Sequence, residues 1–345
     1  MLEWCDRPTH RGSHEEQDER RECRQIDDRF ARRPRRLGSS QRRDYTQAIV
    51  IALVLASRRM AQLRSGAAVL KIDPTDGGRI VSLIVGGVER ILPKTKARAT
   101  APPLYWGCYP MVPWAGRLAQ GRIPTPDGEV RLRSNLPPSA IHGLGFDTAW
   151  EVLGQTDTTV TIACEMRGLG WPFGGRAQQT LRLGSASLDL ELEVGDYTRP
   201  GPAGLGWHPW FARPETGDLA LRLDAHEVLV VDSDLIPTGE VRELTAREDL
   251  RFGPALEDRR LDHVYVRAKG PALLRWPDLE LRIEFDDSLD TVVVYTPSEG
   301  VCVEPQTMWP NAPLLAARGV KGTGLRTLEP GESLRVSERW SWRAA

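Results

Sequence analysis

A surplus of charge of either sign is missing. Across 345 residues, 46 basic side chains meet 47 acidic ones, leaving a net charge of −1. That balance excludes a nucleic-acid surface as the main business of the chain. Paired thiols are missing as well. The five cysteines (Cys5, Cys23, Cys108, Cys164, Cys302) are odd in number and widely spaced, with no Cys-x-x-Cys. Neither a disulfide framework nor a thiolate zinc site is expected, and a reducing cytoplasm is the expected compartment. Of the histidines outside the N-terminal part, His142, His208, His226 and His263, no two have H-x-H or H-x-x-x-H spacing. A sequence-local metal site is therefore absent. Neither G-x-S-x-G nor G-x-x-x-x-G-K-[ST] occurs, so the usual nucleophile elbow and phosphate loop are excluded. Gly168-Leu-Gly and Gly204-Leu-Gly lack the strand–helix context of a dinucleotide site. The apolar run Ala48–Ala56 has nine residues, about half of the roughly 20 that span a membrane, so no membrane association is expected.

What is present divides into two parts. Residues 1–59 hold 14 Arg, no Lys and 10 acidic residues, a net of +4, and almost no periodic apolar pattern before Ala48. Such a segment buries too little surface to offset its ordering entropy. It reads as a disordered or non-native N-terminal extension, with Met60 as the natural start. The run Ala48–Ala56 has the length of a signal-peptide core, but Arg58 and Arg59 follow it where a small-residue cleavage site belongs. Residues 60–345 carry a net of −5 and read as one domain.

In that domain the recurring pattern is apolar–polar alternation, the mark of strands with one buried face. It is clearest in Leu188–Val194, Leu219–Leu223 and Leu279–Phe285; Thr158–Met166, Arg176–Leu183, Val228–Val231 and Thr291–Tyr295 are further strand candidates. Turns are expected at Pro74–Gly78, Asp127-Gly128, Gly174-Gly175, Pro237–Gly239 and Pro297–Gly300. Only Thr245–Leu250, with Thr245 and Glu248 spaced as a capping box, predicts a short helix. Many strands without helical blocks or a fixed repeat predict an all-β, large antiparallel β-sandwich.

Polar chemistry gathers at few places. His142 lies in Ala-Ile-His-Gly-Leu-Gly, beside glycine that lets a backbone approach a ligand. His208 lies in Gly-Leu-Gly-Trp-His-Pro-Trp-Phe, between tryptophans whose flat faces suit either sugar stacking or ordinary core. His226 reads as a solvated surface group. Period 2 puts Asp262 and Val264 on one face, so Asp262 either begins its strand or sits where that face turns polar. In Val301-Cys-Val-Glu-Pro, the same period sets Cys302 and Glu304 opposite Val301 and Val303. Glu304 is thus either a solvated edge residue or a buried carboxyl of raised pKa, fit for general-base work. Asp189, Glu191 and Glu193 alternate with leucines and read as a solvated face.

Seven segments, in order, resemble the aldose 1-epimerase (mutarotase) family. They are Gly77-Gly-Arg-Ile-Val-Ser-Leu, Tyr109-Pro-Met-Val-Pro-Trp-Ala-Gly-Arg-Leu118, Ile141-His-Gly143, Gly206-Trp-His-Pro-Trp-Phe211, Leu235-Ile-Pro-Thr-Gly-Glu240, Leu261-Asp-His-Val-Tyr265 and Val301-Cys-Val-Glu-Pro-Gln-Thr307. The resemblance implies a β-sandwich that opens and recloses the ring of an aldose, with Glu304 as base and His208 as acid. It implies Arg117, His142 and Asp262 as substrate-binding residues, no metal or organic cofactor, a small-molecule aldose as partner, and a monomer or homodimer. Where many relatives have Asn before the motif arginine, this chain has Gly116. Trp106, Trp114, Trp171, Trp207 and Trp309 read either as cleft lining or as core. Two alternatives share the fold: an enzyme for a phosphorylated or otherwise modified hexose, helped by Arg167, Arg176 or Arg213, and a binding module without turnover. A glycosidase fits less well, for want of a second well-placed carboxylate.

Overall fold

The computed structural model describes residues 60–97 and 103–345. The expected extension, residues 1–59, lies outside the described residues. Two antiparallel sheets carry the fold, one of 11 strands and one of eight. The larger runs Ala61–Ser65, Ala68–Asp73, Arg79–Val85, Cys108–Met111, Gly206–Ala212, Gly300–Gln306, Thr291–Tyr295, Asp262–Val266, Glu227–Val231, Pro237–Glu243, with Val88–Glu89 paired to Arg79–Val85. The smaller runs Glu151–Gln155, Thr159–Glu165, Gly174–Leu183, Ser187–Tyr197, Leu334–Ala344, Leu279–Phe285, Lys269–Arg275, Ala220–Asp224. This is the all-β antiparallel sandwich that the alternation predicts.

Strand parity explains the layers. In Ser187–Tyr197, Leu188, Leu190, Leu192 and Val194 are buried while Asp189, Glu191 and Glu193 face outward. Register sets Asp189 opposite Arg339 and Glu193 opposite Arg335, so opposite charges sit across the strand boundary. In the larger sheet, one face packs on the smaller sheet. Phe211 meets Trp340 with ring centroids 5.3 Å apart, and the Trp207 indole N–H donates to Gln179 Oε1 at 2.8 Å. The other face carries the cleft.

Local expectations differ from the structure at four places. Thr245–Leu250 is a turn, not a helix. Glu248 does reach back to the Thr245 N–H at 2.8 Å, as a capping box would. But Arg242 holds its other oxygen at 2.6 Å, and the Leu250 carbonyl accepts from Leu223 N–H, which draws the chain back to the sheet. The α-helix among the described residues is Ala312–Ala317, with Pro in its first turn and Gly319 in the left-handed region just beyond it. Gly174-Gly175 and Pro237–Gly239 lie within strands rather than between them.

Candidate active site

Five neighbouring strands of the larger sheet, from Cys108–Met111 to Asp262–Val266, build the floor of a cleft. Tyr109 pairs with His208. Gly206 lies opposite Gln306 and Trp210 opposite Cys302, which brings His208 beside Glu304. Glu304 pairs in turn with Val293, Val293 with Val264, and Tyr295 with Asp262. Odd-numbered residues of Gly206–Ala212 therefore enter the sandwich core, while His208 and Trp210 enter the cleft. Of the two tryptophans flanking His208, only Trp210 lines the cleft. Trp106, Trp114, Trp171, Trp207 and Trp309 are buried and take the core role.

A short ladder supplies the remaining groups. Arg117–Leu118 pairs with Ala140–Ile141, so Arg117 lies opposite Ile141 and His142 follows at once. His142 adopts φ +58° and Gly143 φ +80°. A Cβ on Gly143 would fall 2.0 Å from the Val112 carbonyl oxygen, so only glycine lets the ladder close on the sheet here. The left-handed turn at His142 aims its ring edge-on at His208, with centroids 4.9 Å apart. Asn311 N–H donates to the Arg117 carbonyl at 2.6 Å, and its Oδ1 accepts from Ala119 N–H, which fixes the segment bearing Arg117.

The cleft encloses about 800 Å³, its open mouth included, and Arg117, His142, His208, Asp262 and Glu304 all line it. His208 Nε2 stands 3.2 Å from Glu304 Oε1, and both side chains are buried. The second oxygen of Glu304 and the second nitrogen of His208 have no protein partner. Burial pushes the Glu304 carboxyl well above the usual range; Asp262 adds to this and Arg117 opposes it. Burial likewise pushes the His208 imidazole down, to about 3. Both groups favour their neutral forms, so the pair holds one proton between two sites. His142 is also held well below 6.5, first by burial and then by His208 and Arg117. Asp262 begins its strand and is exposed at the rim, yet the surrounding protein still raises its pKa against the pull of Arg117.

His142, His208 and Glu304 offer ligand-type atoms within 4.8 Å of one another, a set that zinc accepts elsewhere. One hydrogen bond argues against that use. His142 Nδ1 accepts from Gly116 N–H at 3.3 Å, which leaves the ring proton on Nε2. A metal-bound histidine has the reverse arrangement, with its second nitrogen donating. His142 is thus set up as a hydrogen-bond donor into the cleft.

Arg167, Arg176 and Arg213 do not line the cleft. Arg176 is 3.6 Å from Glu165 on the smaller sheet, and Arg213 is bound to the Pro297 carbonyl. His226 is exposed and bonded to Arg251, as a surface group. Gly116, at φ +71°, sits against Pro310, whose ring would lie 2.7 Å from a Cβ there. Two features escaped sequence reasoning. Tyr109 stacks on His208 at 4.7 Å, and the apolar residues Leu104, Leu136, Val231 and Leu235 wall the cleft. Tyr109 and Leu235 had a signal, their places in quoted motifs.

The family model described as aldose 1-epimerase matches residues 61–340. This chain belongs to the aldose 1-epimerase family. It is 28% identical over 148 residues to the uncharacterised Escherichia coli K12 protein YphB, a match covering 41% of this chain and about half, 49%, of that relative's length. A galactose mutarotase-like protein from Clostridium acetobutylicum superposes with a TM-score of 0.73 at 20% identity, over 82% of this chain and 95% of its own. Galactose 1-epimerase from Lactobacillus acidophilus NCFM does so with a TM-score of 0.67 at 17% identity, over 83% and 95%. At these identities the likeness speaks for the shared fold. No helix among the described residues is long and apolar enough to cross a membrane.

Proposed function

We propose that the protein is an aldose 1-epimerase, interconverting the α and β anomers of an uncharged aldose. The observation that carries this reading is the buried His208–Glu304 contact at 3.2 Å between two residues that both line the cleft. Opening a hemiacetal ring needs a base for the anomeric hydroxyl and an acid for the ring oxygen, two atoms on the same carbon. An adjacent carboxylate and imidazolium, sharing one proton, match that need.

In the reactive form, Glu304 is the carboxylate and His208 the imidazolium. Glu304 takes the proton of the anomeric hydroxyl as the ring C–O bond breaks, and His208 Nε2–H protonates the departing ring oxygen. The product is the open aldehyde, with Glu304 neutral and His208 neutral. Rotation about C1–C2 presents the other carbonyl face. Reclosure returns both protons, so the pair ends as it began. Arg117 favours the carboxylate form of Glu304, His142 donates from Nε2, and Asp262 accepts from a sugar hydroxyl. No step calls for a metal or an organic cofactor.

A phosphorylated hexose fits less well. Among the described residues Arg117 is the only arginine or lysine lining the cleft, and it already acts on Asp262 and Glu304. The test is polarimetry on freshly dissolved α-glucose, α-galactose, xylose and arabinose. Acceleration of at least one sugar supports the reading. No acceleration of any neutral sugar, by folded protein, overturns it in favour of a modified sugar or a binder.

A further inference from the structure

Arg79, from the Gly77-Gly-Arg segment, is unused by this mechanism, yet it is completely buried. Isolating a guanidinium from water is costly unless its surroundings replace the solvent. Here Nη1 donates to the Trp106 carbonyl at 2.7 Å and Nη2 to the Phe146 carbonyl at 3.2 Å. Nε has no hydrogen-bond partner; its nearest carboxylate, Asp76, is 3.8 Å away. The guanidinium carbon lies 4.4 Å from the Trp106 ring centroid and 4.7 Å from that of Tyr109, at distances where a desolvated cation gains from aromatic faces.

The local sequence makes room for this cation. A Cβ on Gly107 would lie 2.7 Å from Arg79 Cδ, and one on Gly77 would lie 1.9 Å from the Phe146 carbonyl oxygen. Both glycines have φ above +70°. Sheet order then sets a line. Arg79, Tyr109, His208 and Glu304 stand on four successive strands. Tyr109 is stacked on His208 with an interplanar angle of 28°, and its hydroxyl is tied to the Leu104 carbonyl at 3.1 Å.

We propose that Arg79 is a positioning residue for the His208–Glu304 pair, acting through the intervening Tyr109 ring on both the plane and the electrostatic surroundings of the imidazole. The inference rests on the reaction proposed above but deepens it. Because Arg79 has no strong anionic partner, its field reaches His208; it adds to the effect of burial on that imidazole and opposes its protonation. The other groups around His208 are Glu304 and the neutral thiol of Cys302 from Gly300–Gln306, His142 from the ladder, Tyr109, and Arg117 and Asp262 farther along the cleft. Arg79 thus keeps the imidazole from holding its proton too tightly to deliver it.

The experiment compares wild type, Arg79→Met and Arg79→Lys in the full chain. It reads Tm, kcat and KM for mutarotation, and the ¹⁵N titration of His208 by NMR without substrate. Arg79→Met should lower kcat by roughly 10²-fold, the scale of a misplaced catalytic group, with KM within about threefold. Its His208 should protonate at higher pH than in wild type. Arg79→Lys keeps the charge but lacks the planar fork that meets both carbonyls, so it should retain the wild-type titration and lose less of kcat. Lower Tm with wild-type kcat and wild-type His208 titration in both variants would make Arg79 a structural staple and overturn the proposal. Should Arg79→Met not fold, Arg79→Lys decides alone: a loss in kcat at steady KM supports the role, and wild-type kcat overturns it. The substrate-free titration tests Arg79 even if wild type accelerates no sugar, a result that would sink the proposed reaction instead.

Discussion

Two carboxyls of this chain are equally hidden, yet their neighbours give them different parts. Glu304 lies on the cleft floor, 1% exposed; Glu338 lies between the two sheets, 2% exposed. Each has one oxygen without a partner, and burial raises the pKa of both, that of Glu338 to about 8. Glu338 accepts from the Trp340 indole N–H at 2.8 Å, a donor that cannot give up its proton at ordinary pH. Glu304 faces an imidazole that can. Desolvation alone therefore does not make a catalytic carboxyl. A partner able to exchange a proton, and a space for substrate beside it, are what separate the two.

The sharpest way to break this comparison is to neutralise each carboxyl in turn. Glu304→Gln should cut the mutarotation rate by roughly 10² or more, the contribution expected of a positioned acid–base group, while Glu338→Gln should stay within about threefold of wild type by polarimetry. Equal losses would show that Glu338 belongs to the chemistry. The next effect is on stability. Between the ordinary carboxyl value of 4.5 and about 8, native Glu338 holds a proton that the unfolded chain has released. Stability should fall as pH rises through that window and level off above it, by a few kcal/mol on the order set by such a shift. Urea denaturation across this range should give a shallower decline for Glu338→Gln; an identical slope would remove Glu338 as its source.

Smaller effects sharpen the cleft side. Asp262→Asn keeps the side-chain shape but loses an acceptor at the rim, so kcat/KM should drop about tenfold, mainly through KM. A loss confined to kcat would instead place Asp262 among the proton-transfer groups. Arg339→Ala breaks the outward pair with Asp189 on the smaller sheet, where both partners are exposed. Its cost should be below about 1 kcal/mol by chemical denaturation, as for solvated pairs elsewhere. A larger cost would mean that this outer row is more than a solvated face.

Much of this arrangement was legible in the residues, for reasons that can be named. Alternation in Leu188–Val194 and in Val301–Glu304 reports which side chain points inward, because strand period is fixed at two. The same rule separates Trp207 from His208. Glu304 and His208 stood out because a carboxyl on an apolar strand and an imidazole among tryptophans both demand explanation. Pairing between distant strands was not legible. Nothing local to Arg79 or Tyr109 says that they stand in line with residue 208, more than 90 positions on. Nor does anything near Thr245 reveal that Arg242 would claim Glu248, or that Ala312–Ala317, with a proline in its first turn, would be a helix.

The strand Gly206–Ala212 belongs to two structures at once, since its odd residues close the sandwich and its even ones form the site. Inserting a single residue ahead of it would exchange the two sets, sending His208 into the interior and Trp207 into the cleft. Divergence in this lineage is thereby channelled. The strand can accept replacements but not a single-residue change of length, whereas Leu136 and Leu235 lie on connections around the cleft, where no strand parity is at stake. New sugars would be acquired at the rim, while the ribbon beneath them is inherited whole.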